Sequence, residues 1–124
     1  MSKTLHFGRS ELARARELVA QEADEANLSS GRTTDLVIAV NEVVANSVRH
    51  GGGGGKLRVC RKDDALVVEV RDCGQIDDPL VGQRQPAPLA RQGRGLWMVN
   101  QLCDLVQIRS GPEGTDVRLQ MSLS

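Results

Sequence analysis

Apolar positions recur at two different spacings along the chain. Residues 11–27 and 34–50 place them every three or four positions, which predicts two helices that each pack along one side. The segments KLRVCRK and ALVVEVR instead predict two strands joined in a hairpin at Lys62–Asp64. LVQIRS and TDVRLQMSL predict a second hairpin around the turn GPEG.

Two further elements complete the predicted fold. Thr4–Phe7 predicts a short strand, and GLWMVNQLCD returns to helical spacing. Ser10 is predicted to cap the first helix, and Thr33 or Thr34 the second. The order β-α-α-β-β-loop-α-β-β predicts an α+β two-layer sandwich, in which three helices cover one face of a mostly antiparallel mixed sheet.

The pattern stops between Gln75 and Gln92. This segment contains Gly82 and prolines at positions 79, 86 and 88, so no regular element is predicted. An irregular loop of this length in a small domain is more often functional than a plain connection.

Composition excludes several classes of function. The 124 residues predict one domain, with 16 basic residues balancing 16 acidic ones. Zero net charge, one Phe, one Trp and no Tyr argue against nucleic-acid binding. No apolar run reaches the roughly 20 residues of a membrane span, and the N-terminus lacks a signal core, so we expect a cytoplasmic protein. Three separated cysteines and two histidines form no zinc spacing, and we expect reduced thiols.

The second predicted helix carries a polar stripe. Glu42, Asn46 and His50 lie four residues apart, and each step of four advances only about 40° around a helix. A solvated face would explain the stripe by itself. The five glycines that follow do not form a phosphate-binding P-loop, because Lys56 is followed by Leu57. Taken alone, they predict a flexible connector in which Gly51 stops the helix.

The end of one predicted strand has chemistry that suits a flat ring with an exocyclic amine. Asp72 ends a strand just before Gly74, where a carboxylate can accept a hydrogen bond from an exocyclic amine. The glycine would let a flat ring approach the backbone. Thr115 begins a later strand after a turn. An ordinary turn and an ordinary strand residue remain alternative explanations.

Another spot favours phosphate. Gly93 and Gly95 lie at a predicted helix start, where free backbone N–H groups and the helix dipole attract anions. Arg91 and Arg94 add positive charge beside them. By itself this is also a common way to begin a helix.

The order of these motifs resembles one family. Glu-x3-Asn-x3-His, then Asp-x-Gly, a proline-rich loop, Gly-x-Gly and Gly-Thr follow the pattern of the GHKL (histidine kinase-like) ATPase superfamily. Within it, the chain is most similar to bacterial anti-sigma-factor serine/threonine kinases and to stand-alone histidine kinase-like ATPase domains. The resemblance extends from about Leu5 to Leu123.

The resemblance implies a role for each motif residue. Glu42 matches the general base, Asn46 the Mg²⁺ ligand and His50 a residue near the phosphates. Asp72 would bind the adenine amine, supported by Thr115. The remaining residues that would line the nucleotide are Gly74, Arg91, Gly93, Arg94, Gly95 and Leu96. Residues 75–92 would form the ATP lid, in which Ile76 stands where many relatives have a second glycine.

The implied activity is ATP- and Mg²⁺-dependent phosphorylation of an anti-sigma-factor antagonist protein, with sequestration of a sigma factor as a further role. A homodimer is also allowed, and the zero net charge gives no argument for a membrane surface as a partner. Two alternatives stay open: an ATP-binding module without kinase activity, and the catalytic part of a sensor histidine kinase. Against the second, His6 lies at a strand and His50 inside the ATP motif, so neither is a phosphoacceptor on a dimerising helix pair.

Overall fold

A computed structural model describes residues 2–74 and 94–123. Over these residues the elements follow the predicted order, and the α+β fold is confirmed. No helix in this part of the chain is both long and apolar enough to cross a bilayer. The strands are β1 (Ser2–Gly8), β2 (Gly54–Lys62), β3 (Ala65–Asp72), β4 (Leu105–Gly111) and β5 (Gly114–Ser122), and the helices are α1 (Leu12–Glu25), α2 (Ser30–His50) and α3 (Arg94–Leu102).

The strands form one sheet in the order β1-β2-β3-β5-β4. Every pairing between the described strands is antiparallel. β3 lies in the middle, and its last residue, Asp72, is opposite Gly55 of β2 and Thr115 of β5. The predicted β2–β3 hairpin is confirmed: Asp63 takes the left-handed conformation, with φ 55°, which Asp tolerates better than most residues.

The core lies between the helices and one face of the sheet. Each Val or Leu buried there contributes roughly 1.5–3 kcal/mol relative to an exposed one. This burial holds α2 flat on the sheet and leaves its polar stripe outside, as the spacing predicts. The buried side chains of α2 are Leu36, Ala39, Val40, Val43, Val44 and Ser47, and they face Leu57, Val59, Val68, Val70, Leu119 and Met121 of the sheet.

The opposite face of the sheet is charged. Lys56, Arg71, Asp116 and Arg109 occupy successive register positions across β2, β3, β5 and β4. Burial raises the pKa of Asp116, and the neighbouring Glu69 carboxylate raises it further. Among the described residues, the helices therefore cover one face of the sheet, as expected for a two-layer sandwich.

The predicted helix starts were wrong in both cases. A 3₁₀ turn (Arg9–Glu11) precedes α1, and the Ser10 hydroxyl donates to Glu11 instead of capping the helix. The backbone N–H of Gly8 donates to the Glu11 carboxylate at 2.8 Å. α2 begins before both threonines because Ser29 caps it by accepting from the N–H of Arg32 at 3.3 Å.

The glycine run is not a simple connector. Gly52 and Gly53 have φ values of 91° and 94°, which other residues rarely adopt. Gly54 and Gly55 are already part of β2. A Cβ on either would overlap a carbonyl oxygen, that of Phe7 or that of Arg71. Glycine is therefore required for close pairing of the strands next to the end of α2.

The three cysteines differ in environment, and the described structure leaves all of them as free thiols. Cys103 is buried, and this burial raises the pKa of its thiol to about 12. Cys60 is half-buried. Cys73 is exposed beside Asp72, so packing does not explain it.

One polar cluster attaches the start of α2 to the far end of the sheet. The Asp104 carboxylate accepts from the backbone N–H of Ser122 at 2.6 Å and from the Arg32 guanidinium. The Ser122 hydrogen bond, followed by Arg32, lowers the pKa of Asp104. An acid whose pKa is lower in the folded state stabilises above its unfolded pKa of about 3.9, and this stabilisation is lost as pH falls.

We expect Asp104→Asn to lower the free energy of unfolding by about 1 kcal/mol at pH 7. A hydrogen bond to a charged group contributes more than this when it is buried, but Asp104 and Arg32 are partly exposed, and solvent weakens their interaction. Urea unfolding at several pH values measures the difference, which should shrink below about pH 4. Asp24→Asn, at an exposed position of α1, is the matched control. A difference that is equal at pH 7 and pH 3 would contradict the role of the carboxylate charge.

Candidate functional site

The polar stripe of α2 forms one wall of the candidate site. Glu42 and Asn46 are half-buried, whereas His50, the last helical residue, is exposed. Arg49 joins the first two: its Nη2 donates to Oδ1 of Asn46 at 2.6 Å and lies 3.7 Å from Oε1 of Glu42. Glu42 and Asn46 thus form an ionic cluster with Arg49, in which a carboxylate and an amide oxygen face the same guanidinium.

Asp72 is fixed from two sides at the end of β3. Its Oδ2 accepts from the Ser47 hydroxyl at 2.7 Å, and its Oδ1 accepts from the backbone N–H of Gly74 at 2.7 Å. Ser47 is only 3% exposed. A carboxylate has about four lone-pair positions, so each oxygen can still accept another hydrogen bond. The carboxylate is therefore held in one orientation with accepting capacity to spare.

Thr115 fixes the same corner from the neighbouring strand. Its hydroxyl donates to the carbonyl oxygen of Gly74 at 2.8 Å and shares a 2.8 Å hydrogen bond with Ser110. Because a hydroxyl has one hydrogen, Thr115 can offer a further ligand only an acceptor in this arrangement, with Ser110 donating to it. Gly114, with φ 131°, brings β5 close to the Asp72 carbonyl.

Glycines bring the end of α2 close to the end of β3. A Cβ on Gly51 would overlap the Asp72 carboxylate, and one on Gly74 would lie 2.6 Å from Cα of Gly51. The backbone N–H of Cys73 donates to the Gly51 carbonyl at 3.3 Å. No side chain stands between these backbones, so the end of α2 packs directly against the end of β3.

The start of α3 faces the stripe. A Cβ on Gly95 would overlap Oε1 of Glu42, so the carboxylate lies against the first turn of α3. The first N–H groups of a helix lack partners within it, and together they form an electropositive end. Leu96 is buried in the core, at 6% exposure, so its predicted contact with the nucleotide has to come from the backbone.

Some predicted residues lie outside the described part of the chain. These are the lid, residues 75–92, with Ile76 and Arg91 in it, and Gly93. Arg94 is the first residue of α3.

Two residues of the site were missed by sequence analysis. Ser47, which orients Asp72, follows Asn46 directly but turns to the buried side of α2. Arg49 extends the polar stripe because it lies three residues after Asn46. Helical spacing could have placed Arg49 on the stripe, but the Ser47–Asp72 contact depends on how α2 packs on β3.

Comparison with known proteins identifies the family. The family model that describes the histidine kinase-like ATPase domain matches residues 9–121, which is most of the chain. The chain belongs to this family. The predicted membership of the histidine kinase-like ATPase superfamily is thereby confirmed, and the fold described above is the fold of an ATPase domain.

Individual relatives refine the comparison. This ATPase domain is 27% identical over 121 residues to an anti-sigma F factor from Oceanobacillus iheyensis, a match that spans 89% of the chain and 83% of that protein. It is similar in fold to the RsbU and RsbW domains of Rv1364c from Mycobacterium tuberculosis, with TM-score 0.71 and 21% identity. The match covers 97% of the chain but only 32% of that longer protein. A chain of the SiaB–SiaC complex from Pseudomonas aeruginosa is also similar in fold, with TM-score 0.71 and 13% identity over 98% of this chain and 88% of that one.

The residues present fit a purine nucleotide. Asp72 offers free acceptor positions for an amine, and Gly51 lets this carboxylate lie beside the end of α2, where a Cβ would overlap it. They also fit Mg²⁺ held mainly by phosphate. Within the described ranges, no group of three or more His, Cys, Asp or Glu could hold a metal ion without other ligands. Mg²⁺ commonly takes one or two protein oxygens together with phosphate oxygens and water, and Asn46 Oδ1 can be such a ligand.

Proposed function

We propose that this ATPase domain binds ATP with Mg²⁺ and phosphorylates a serine or threonine of an anti-sigma-factor antagonist protein. The observation that carries the proposal is the double-anchored Asp72 carboxylate at the end of β3, which contacts α2 through Ser47, the residue that follows Asn46 of the stripe. One end of the site suits adenine and the other suits phosphate and a hydroxyl nucleophile. Sequestration of a sigma factor is a second role under the same proposal.

The adenine end is selective by hydrogen-bond polarity. Asp72 can only accept when ionised, so it suits the exocyclic amine of adenine and repels the carbonyl oxygen that guanine carries at the same ring position. Ser47 and the Gly74 N–H keep both carboxylate oxygens in place. Thr115 acts indirectly, because its hydrogen is used to hold the Gly74 carbonyl. We therefore propose that the pocket prefers ATP to GTP.

The phosphate end combines a helix start with the polar stripe. Backbone N–H groups in the first turn of α3 would bind phosphate oxygens, and Asn46 would supply an oxygen ligand to Mg²⁺. Bound Mg²⁺ would neutralise phosphate charge during transfer. Gly95 lets this turn lie directly against Glu42, which places a carboxylate next to the proposed phosphate position.

Glu42 is the proposed general base. Its carboxylate is part-exposed, at 27%, and can reach a hydroxyl brought by a partner protein. It would accept the proton of that hydroxyl at a carboxylate oxygen as the oxygen attacks phosphorus. A domain that only holds ATP does not need a carboxylate at this position. The likeness to an anti-sigma F factor, which covers most of both chains, supports the kinase of anti-sigma type over the sensor histidine kinase.

Phosphate transfer tests the proposal. The full chain is incubated with γ-labelled ATP, Mg²⁺ and candidate antagonist proteins from the same genome, and the labelled residue is identified by mass spectrometry. We expect label on one serine or threonine of one partner, and none when EDTA replaces Mg²⁺. ATP binding without transfer to any antagonist, together with binding of a sigma factor, would instead support an ATP-binding module.

A further inference from the structure

Arg49 occupies the oxygens that the proposed metal site uses. Its Nη2 donates to Oδ1 of Asn46 at 2.6 Å, and the same nitrogen lies 3.7 Å from Oε1 of Glu42. The Arg49 side chain is 53% exposed, whereas that of Glu42 is 27% exposed. A largely solvated cation, which can move away without disturbing the core, thus contacts both functional oxygens of the stripe.

A guanidinium and a divalent cation compete for these positions. Two cations that share one ligand oxygen lie within a few ångströms of each other, where their repulsion is several times stronger near a protein surface than in bulk water. The guanidinium donates hydrogen bonds only and needs no particular coordination number, whereas Mg²⁺ requires oxygen ligands at about 2.0–2.1 Å. Entry of Mg²⁺ at Asn46 therefore requires that Arg49 leave.

We propose that Arg49 is a positioning residue that takes the place of the metal in the nucleotide-free domain. It holds the Asn46 amide with its oxygen facing the site, balances the charge of Glu42, and is displaced from both when Mg²⁺ enters with the nucleotide. This inference rests on the proposed function. The new element is a competition between Arg49 and Mg²⁺ for the Asn46 oxygen, which sets the Mg²⁺ concentration that the domain needs.

The chain offers a matched control for this competition. Arg16 of α1 donates from Nη1 to Oδ1 of Asn41 at 2.8 Å, which is the same kind of bond to the same helix, one residue before Glu42. Arg16→Met and Arg49→Met each remove one positive charge and one Arg–Asn hydrogen bond. Only Arg49→Met frees Asn46. Arg49→Lys keeps the charge but loses the planar guanidinium.

The first measurement is the Mg²⁺ concentration that gives half-maximal binding of a non-hydrolysable ATP analogue, followed by the fluorescence of Trp97. We expect Arg49→Met to lower this concentration about two- to five-fold, which is the scale of a part-exposed ion pair. Arg49→Lys should give a smaller decrease and Arg16→Met none. An unchanged Mg²⁺ requirement in Arg49→Met, or an equal decrease in Arg16→Met, would overturn the proposal.

The second measurement uses the nucleotide-free protein, so that the two proposals can fail separately. The side-chain NH₂ signals of Asn46 are recorded by ¹H–¹⁵N NMR and assigned with Asn46→Asp. We expect them to shift in Arg49→Met and to remain unchanged in Arg16→Met. Unchanged signals in Arg49→Met would overturn the role of Arg49 alone. If the Asn46 signals shift in Arg49→Met but the wild-type protein binds no nucleotide, both the proposed function and the displacement of Arg49 by Mg²⁺ would be rejected.

Discussion

Asp72→Asn is expected to weaken ATP binding about 10- to 100-fold. Both fixed neighbours of the carboxylate are donors, namely the Ser47 hydroxyl and the Gly74 N–H. Asparagine has one acceptor oxygen instead of two, so its NH₂ has to face one of these donors or the nucleotide. A hydrogen bond to a charged group is worth roughly 1.5–3 kcal/mol, and each 1.4 kcal/mol is a factor of ten in affinity. Titration calorimetry with ATP and GTP measures the loss.

Ser47→Ala separates the orientation of the carboxylate from its charge. It removes one anchor of Asp72 but leaves both oxygens, so we expect a loss in ATP affinity of about five-fold with the preference over GTP retained. Asp72→Asn should reduce that preference as well. Equal ATP affinity in Asp72→Asn and the wild type would show that this carboxylate does not contact the base.

Glu42→Gln is expected to slow phosphate transfer about 10²- to 10⁴-fold, the usual cost of removing a general base. Glutamine has nearly the same shape and still fits against Gly95, but it cannot accept the hydroxyl proton. ATP affinity should change little because the proposed role of the carboxylate is to accept a proton from the partner's hydroxyl, not to hold the nucleotide. Single-turnover transfer to the antagonist gives the rate, and calorimetry gives the affinity.

Glu17→Gln, at an exposed position of α1, is the matched control and should transfer phosphate at the wild-type rate. A Glu42→Gln variant that loses ATP binding together with activity would make Glu42 structural. A variant with normal transfer would exclude it as the base.

Much of the fold could be predicted because burial follows spacing. The apolar side of α2 occupies the predicted positions, and both hairpins turn where turn residues cluster. The helix starts were predicted wrongly because several neighbouring polar residues can compete to cap the first turn of a helix. Ser29 captures the N–H of Arg32 one turn before the predicted cap, and the resulting helix passes through Gly31 without a break.

The site was less predictable because it depends on contacts between distant elements. The order of motifs pointed to Glu42, Asn46 and Asp72, but nothing in a single sequence pairs Ser47 with Asp72, which are 25 positions apart. The glycine run was misjudged for the same reason. In the sequence, Gly54 and Gly55 predict a flexible connector. In the structure, both positions have to be glycine, because strand pairing brings a carbonyl oxygen to the place where a Cβ would lie.

The central claim, an ATP site between α2, the end of β3 and the start of α3, is tested most directly by calorimetric titration of the wild-type chain with ATP and Mg²⁺. A ligand that binds only the folded state also raises the melting temperature, which gives an independent check on the same samples. We predict saturable 1:1 binding of ATP, weaker binding without Mg²⁺ and much weaker binding of GTP. No binding heat and no melting shift with any adenine nucleotide at millimolar concentration would contradict the account.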